Sequence, residues 1–100
     1  MRVVWKTRLE KGRVATRAEY PGLDPRPVHF EIIDSVPFVW VDCSHPDSDL
    51  GKTNTTWLEF RVFATGEEFH PVWSIFGSQV CRYSIGYEVW HLGWANESDR

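Results

Sequence analysis

The residues able to do chemistry in this chain are scattered rather than gathered into a motif. Nucleophilic catalysis needs a Ser or Cys beside a base that a third group orients. Cys43, Cys81, His29, His70 and His91 supply the residue types, but no such motif surrounds any of them. A metal site could be built from Asp42, His45, Asp47 and Asp49, whose three carboxylates would offer oxygen ligands to a hard cation. Their spacing lacks the later Gly and bidentate Glu of a calcium loop, and His45-Pro46-Asp47 reads more simply as turn chemistry. No Gly-rich loop opens a helix to cradle a phosphate. The reading is a protein without catalytic residues, metal or cofactor.

What remains is an excess of aromatic side chains. Six tryptophans stand at positions 5, 40, 57, 73, 90 and 94 of a 100-residue chain. Each ring buries roughly 150–250 Å² and carries one N–H to satisfy, so one small core cannot hide them all. Rings stack on nucleobases without any fixed motif, and guanidinium groups hold phosphates. Arg61 and Arg82 lie within aromatic segments beside Phe60 and Tyr83. The candidate ligand-binding set is therefore Trp57, Arg61, Trp73, Arg82 and Trp94. For either arginine alone, an exposed strand residue whose stem covers apolar surface is the better account, and only together with the surplus rings do they point to binding.

These side chains must be positioned by strands. Alternation of period two recurs: Val3, Trp5, Thr7 and Leu9 share one parity, opposite the charged Lys6 and Arg8. Val28, Phe30 and Ile32 share another face, and residues 37–43 are apolar on both, as in a covered central strand. Residues 13–20 suit a polar edge strand. Leu58, Phe60 and Val62 alternate with Glu59 and Arg61 as a half-buried strand. Gly77-Ser78 suits a hairpin turn between residues 73–76 and 80–85, and residues 87–92 supply a last strand. Asp34-Ser35 can turn the chain, as can Thr65-Gly66, with Glu67 and Glu68 solvated beyond it. His91 reads as a hydrogen-bonded residue at the core's edge. Residues 44–56 form a long polar loop. No helical period persists. The expectation is an all-β fold, a single small antiparallel barrel or sandwich of about six to eight short strands. It spans residues 1–95, with 96–100 as a mobile tail. Parity assigns Trp5 and Trp40 to the core and leaves Trp90 open. Trp57, Trp73 and Trp94 are left for a ligand or partner.

Composition narrows the partners. The formal net charge of −3 argues against binding bulk nucleic acid or an anionic membrane, though a local basic face is compatible with it. No apolar run approaches the length of a membrane helix, the N-terminus does not read as a signal peptide, and the expected location is cytoplasmic. Two cysteines in that compartment read as buried thiols. The surplus of rings favours a homo-oligomer.

Taken in order, Val4-Trp5-Lys6, Val36-Pro37-Phe38-Val39-Trp40, residues 59–66 (EFRVFATG) and Val89-Trp90-His91-Leu92 resemble a family of short proteins of actinobacteria and their phages. The family often has a His after its Thr-Gly, where this chain has Glu67, and the loop at 44–56 is longer than usual. The resemblance implies a phage or prophage accessory context and nothing catalytic. The leading expectation is a non-enzymatic protein that counters a host process by sequestering a small nucleotide-like signal molecule. A protein-binding inhibitor of a host protein and a virion structural or decoration protein are the alternatives.

Overall fold

The structure is a computed structural model that describes residues 1–10 and 12–97, with Arg13 described by its backbone only. Seven strands follow in order: β1 (Arg2–Arg8), β2 (Gly12–Pro21), β3 (Arg26–Ile33), β4 (Val36–Ser44), β5 (Thr55–Ala64), β6 (Ser74–Tyr83) and β7 (Gly86–Asn96). A short helix, α1 (Asp49–Thr53), the one helix among the described residues, interrupts the polar loop between β4 and β5. The strands form two antiparallel sheets, β1-β4-β3 and β2-β5-β7-β6. These stack with β3 against β6 and β2 against β4. The fold is thus an all-β sandwich, as the alternation requires.

Inward side chains are those of the predicted parities. Val39, Val41 and Cys43 of β4 face Leu58, Phe60 and Val62 of β5 and Trp90 and Leu92 of β7 across one core. β4 is central in its sheet and β2 is an edge strand, both as the sequence predicts. The Ile33–Val36 hairpin closes through Asp34 and Ser35, with φ of 51° and 64°. Two consecutive left-handed residues twist the turn to match its strands. Gly66 takes φ of 90° to end β5, and the Glu67 N–H donates to Ala64 O at 3.1 Å. Asp47 N–H donates to His45 Nδ1 at 3.0 Å and Ser48 caps α1, so this loop is a turn into a helix. Both cysteines are buried free thiols, and burial pushes the Cys43 thiol up, away from the nucleophilic thiolate.

Several expectations are corrected. Gly77-Ser78 is no hairpin turn: β6 runs through it, paired to β7, with a bulge between Ile75 and Gly77. The turn lies at Ser84-Ile85, between the paired Tyr83 and Gly86. Val28 sits at the β3 bulge and is exposed, leaving Phe30 and Ile32 inward. Asn96 ends β7 and Glu97 pairs with Arg17 at 2.6 Å, so neither belongs to a loose tail; residues 98–100 lie outside the described residues. Glu67 is tied to Arg61 at 2.7 Å rather than merely solvated.

Tyr20 shows how the core constrains pH stability. Its ring is buried, burial raises its phenol pKa, and its hydroxyl lies 2.6 Å from Thr7 Oγ1. The fold disfavours the phenolate. Its contribution is therefore fully present below the unfolded value, about 10, and is lost as pH rises through the folded one. Urea melts are expected to show stability falling above about pH 10. Tyr20→Phe should reduce that fall while costing about 1 kcal/mol at neutral pH, since Thr7 loses its partner.

Candidate functional site

Each sheet turns an outer face away from the core, and the two faces differ in charge. The β1-β4-β3 face is built in rows fixed by register. Lys6, Trp40 and His29 form one row, Arg8, Phe38 and Glu31 the next, and Val4, Asp42 and Arg26 a third. Lys6 Nζ sits 4.3 Å from the Phe38 centroid and 5.5 Å from that of Trp40. The His29 ring lies 4.9 Å from Trp40 on its other side, and Phe38 and Trp40 are 6.4 Å apart. Arg2 spends its charge on Asp42 and Asp24, at 2.8 and 3.0 Å, with Arg26 3.9 Å from Asp42. Among the described residues, Lys6 and Arg8 have no carboxylate partner. A chain of negative net charge thus carries an aromatic face flanked by uncommitted cations.

Trp40 therefore belongs to this face and not to the core. Strand β4 is apolar on both sides, but Lys6 and His29, not the other sheet, flank its outer rings. Trp5 keeps the inward parity near Tyr20, yet it remains 39% exposed beside the edge of the sandwich. The ring that is buried is Trp90, its Nε1–H donating to Glu88 Oε2 at 2.8 Å.

The predicted ligand set does not converge on one pocket. Trp57 and Arg61 share the outer face of β5, with the buried Glu59 between them. The Arg17 guanidinium stacks 4.8 Å from the Trp57 centroid. Arg61 spends its charge on Glu67 and lies 4.6 Å from the Phe63 ring. Trp73 joins this group edge-on to Phe63 at 6.0 Å, and Phe69 packs on Phe63 at 4.9 Å. Phe63 rests over Gly93, where any Cβ would collide with its ring. Arg82 is exposed near the far end of the β6–β7 hairpin, opposite Tyr87. Trp94 pairs across from Phe60 and packs on the core, because β7 continues past it with unbroken parity.

A shallow pocket of about 180 Å³ beside Phe63 includes Phe69, Ile75 and His91. His91 bonds through Nε2 to Thr65 Oγ1 and through Nδ1 to Ser78 Oγ, both at 2.8 Å. With one nitrogen on a hydroxyl of the turn after β5 and the other on a hydroxyl of β6, it ties β7 to both sides. That matches the hydrogen-bonded role read from its sequence position.

Sequence reasoning missed Lys6, His29, Phe38 and Trp40 as a group. Their parities are readable within each strand, but the Lys6–Trp40–His29 row exists only through the pairing of three strands. No family model, curated protein or solved structure matches the chain. The site must be argued from its own chemistry.

Proposed function

We propose that this protein is a non-enzymatic binding module that captures a small nucleotide-like ligand on the outer face of its three-stranded sheet. The observation that supports this is the Lys6–Trp40–His29 row with Phe38 beside it. Phe38 and Trp40 offer ring surface for a base, and Lys6 and Arg8 offer charge for phosphate. This moves the ligand away from Trp57, whose ring is already stacked by Arg17. The resemblance to actinobacterial and phage proteins would make such capture a stoichiometric device against a host process.

Calorimetric titration with cyclic and linear nucleotides, the matching nucleosides and inorganic phosphate tests the reading. Nucleotides should bind, while nucleosides and phosphate alone should bind weakly, because base and charge are held by different side chains. Absence of heat with every nucleotide overturns it. A second reading, inhibition of a host protein, draws on the β6–β7 hairpin, where Ile85 is 98% and Tyr87 67% exposed. A stoichiometric host partner that is lost on Ile85→Asp would favour that reading.

A further inference from the structure

Strand β6 is the outermost strand of the four-stranded sheet and runs for 10 residues, paired to β7 on one side only. Among the described residues, no backbone hydrogen bond outside that ladder reaches it, although β3 stacks against it. The register says which groups are left over. Tyr83 and Gly86 close the Ser84-Ile85 turn and so exchange hydrogen bonds, after which bonded and non-bonded pairs alternate along the ladder. Gln79 and Cys81 therefore aim their N–H and C=O groups at β7. Ser78, Val80 and Arg82 aim theirs away from the sheet, and each of these residues is exposed.

The other edge strands are blunted against pairing. Lys6 and Arg8 charge β1, Pro27 and a bulge interrupt β3, and Pro21, Arg17 and a bulge mark β2. Strand β6 has its own bulge between Ile75 and Gly77, but from Ser78 onward it carries no proline and no charge before Arg82. An uncharged run of unpaired amides and carbonyls is a template for another extended chain.

A second copy of this chain fits that template by self-complementarity. Antiparallel two-fold pairing centred on Val80 sets Val80 against its own copy and Ser78 against Arg82, so that the outward N–H and C=O groups of these residues are exchanged. Tyr83 then crosses Gly77, where an aromatic ring covers a strand glycine. With Arg82 opposite Ser78, the two guanidinium groups stay roughly 14 Å apart along the strands, beyond the screening length of about 8 Å at physiological salt. A centre at Arg82 would instead set like charges face to face. The Val80 register also carries Ile85, 98% exposed at the hairpin tip, toward Ile75 of the second copy, which is 44% exposed.

We propose that this protein forms a two-fold dimer by antiparallel pairing of β6 with β6 of a second copy, centred on Val80, which joins the two four-stranded sheets into one. The nucleotide face lies on the other sheet, and neither proposal requires the other.

Sedimentation equilibrium of the full chain from about 1 μM to about 1 mM should show a monomer–dimer equilibrium. Amide hydrogen exchange should protect Ser78, Val80 and Arg82 only where the dimer is populated, while Gln79 and Cys81 stay protected at every concentration. Val80→Pro removes the central N–H donors but spares the β7 ladder, since a strand proline is tolerated where its nitrogen faces away from the sheet. It should weaken dimerisation at least about tenfold, with the monomer still folded by thermal melting. Val80→Lys places two like charges at the two-fold axis without touching the backbone and should weaken it similarly. If Val80→Pro unfolds the chain, the inferred orientation of the Val80 N–H is wrong and the proposal falls with it. A clean monomer at about 1 mM, a dimer indifferent to Val80→Lys, or a dimer whose Ser78, Val80 and Arg82 amides exchange freely also overturns it.

Discussion

Phe60→Ala is expected to lower stability by about 4 kcal/mol, a large fraction of the roughly 5–15 kcal/mol that a domain has. Phe60 is 1% exposed at the middle of β5. Its ring meets Tyr20 at 87° with centroids 6.4 Å apart, and it faces Trp94 on β7 and Thr16 on β2. Truncation removes a buried aromatic, an edge-to-face pair worth about 1 kcal/mol and the support of two neighbouring strands. The space cannot be refilled cheaply, because its walls are ladder-bonded strands rather than mobile loops. A domain of this length loses roughly 4–8 °C of Tm per kcal/mol, so the melting midpoint should fall by about 15 °C or more. Trp57→Ala on the same strand is the contrast: the ring points to the outer face, and the loss should stay near 1 kcal/mol. Paired thermal melts of the two variants check the sandwich directly. Equal losses would mean that β5 does not present opposite parities to core and solvent.

That contrast marks where the sequence was readable. Alternation reports which side chains share a face, so the inner set of β5 and the inward residues of β1 follow from spacing alone. Alternation does not report what covers a face. Strand β4 is apolar on both sides, which suggests two buried faces. In the fold, its outer rings are flanked by Lys6 and His29, one from each neighbouring strand. Glu59 and Phe63 err in the opposite sense. They sit on the polar parity of β5 yet are 3% and 1% exposed, because Arg17 reaches over one and Phe69 and Trp73 pack on the other. All these contacts link residues remote in sequence, and no local pattern encodes them.

Turns divide along the same line. Asp34-Ser35 is correctly read because both residues tolerate left-handed φ and the strands on either side are short and strong. Gly77-Ser78 carries an equally good local signal, but Gly77 does not take a positive φ. Continuous pairing to β7 outweighs the turn preference, and the bulge at Phe76 absorbs the irregularity. Trp94 is misplaced for a related reason: Gly93 looks like a strand terminator. In the fold it is a β7 residue whose missing side chain makes room for Phe63.

Trp40→Ala should weaken nucleotide binding by about tenfold to a hundredfold, the usual range for removing one base-stacking ring. Trp40 sits between Lys6 and His29, within 6.4 Å of Phe38, so its removal breaks the row that brings side chains from both neighbouring strands onto one ring. The ring lies outside the core, so the fold should survive, and a thermal melt of the same sample separates lost binding from lost structure. Lys6→Gln removes charge but keeps the Phe38 and Trp40 rings. It should reduce affinity for nucleotides and flatten the salt dependence, leaving any nucleoside binding in place. Trp40→Phe keeps a smaller stacking surface and should recover most of the loss. Trp57→Ala serves as the internal reference, because its ring lies on the outer face of the opposite sheet, already stacked by Arg17. If Trp57→Ala abolishes nucleotide binding while Trp40→Ala leaves it intact, the base is stacked on the outer face of the four-stranded sheet instead. The division of the molecule into a cation-bearing and a carboxylate-bearing face would then fail as a guide to its ligands.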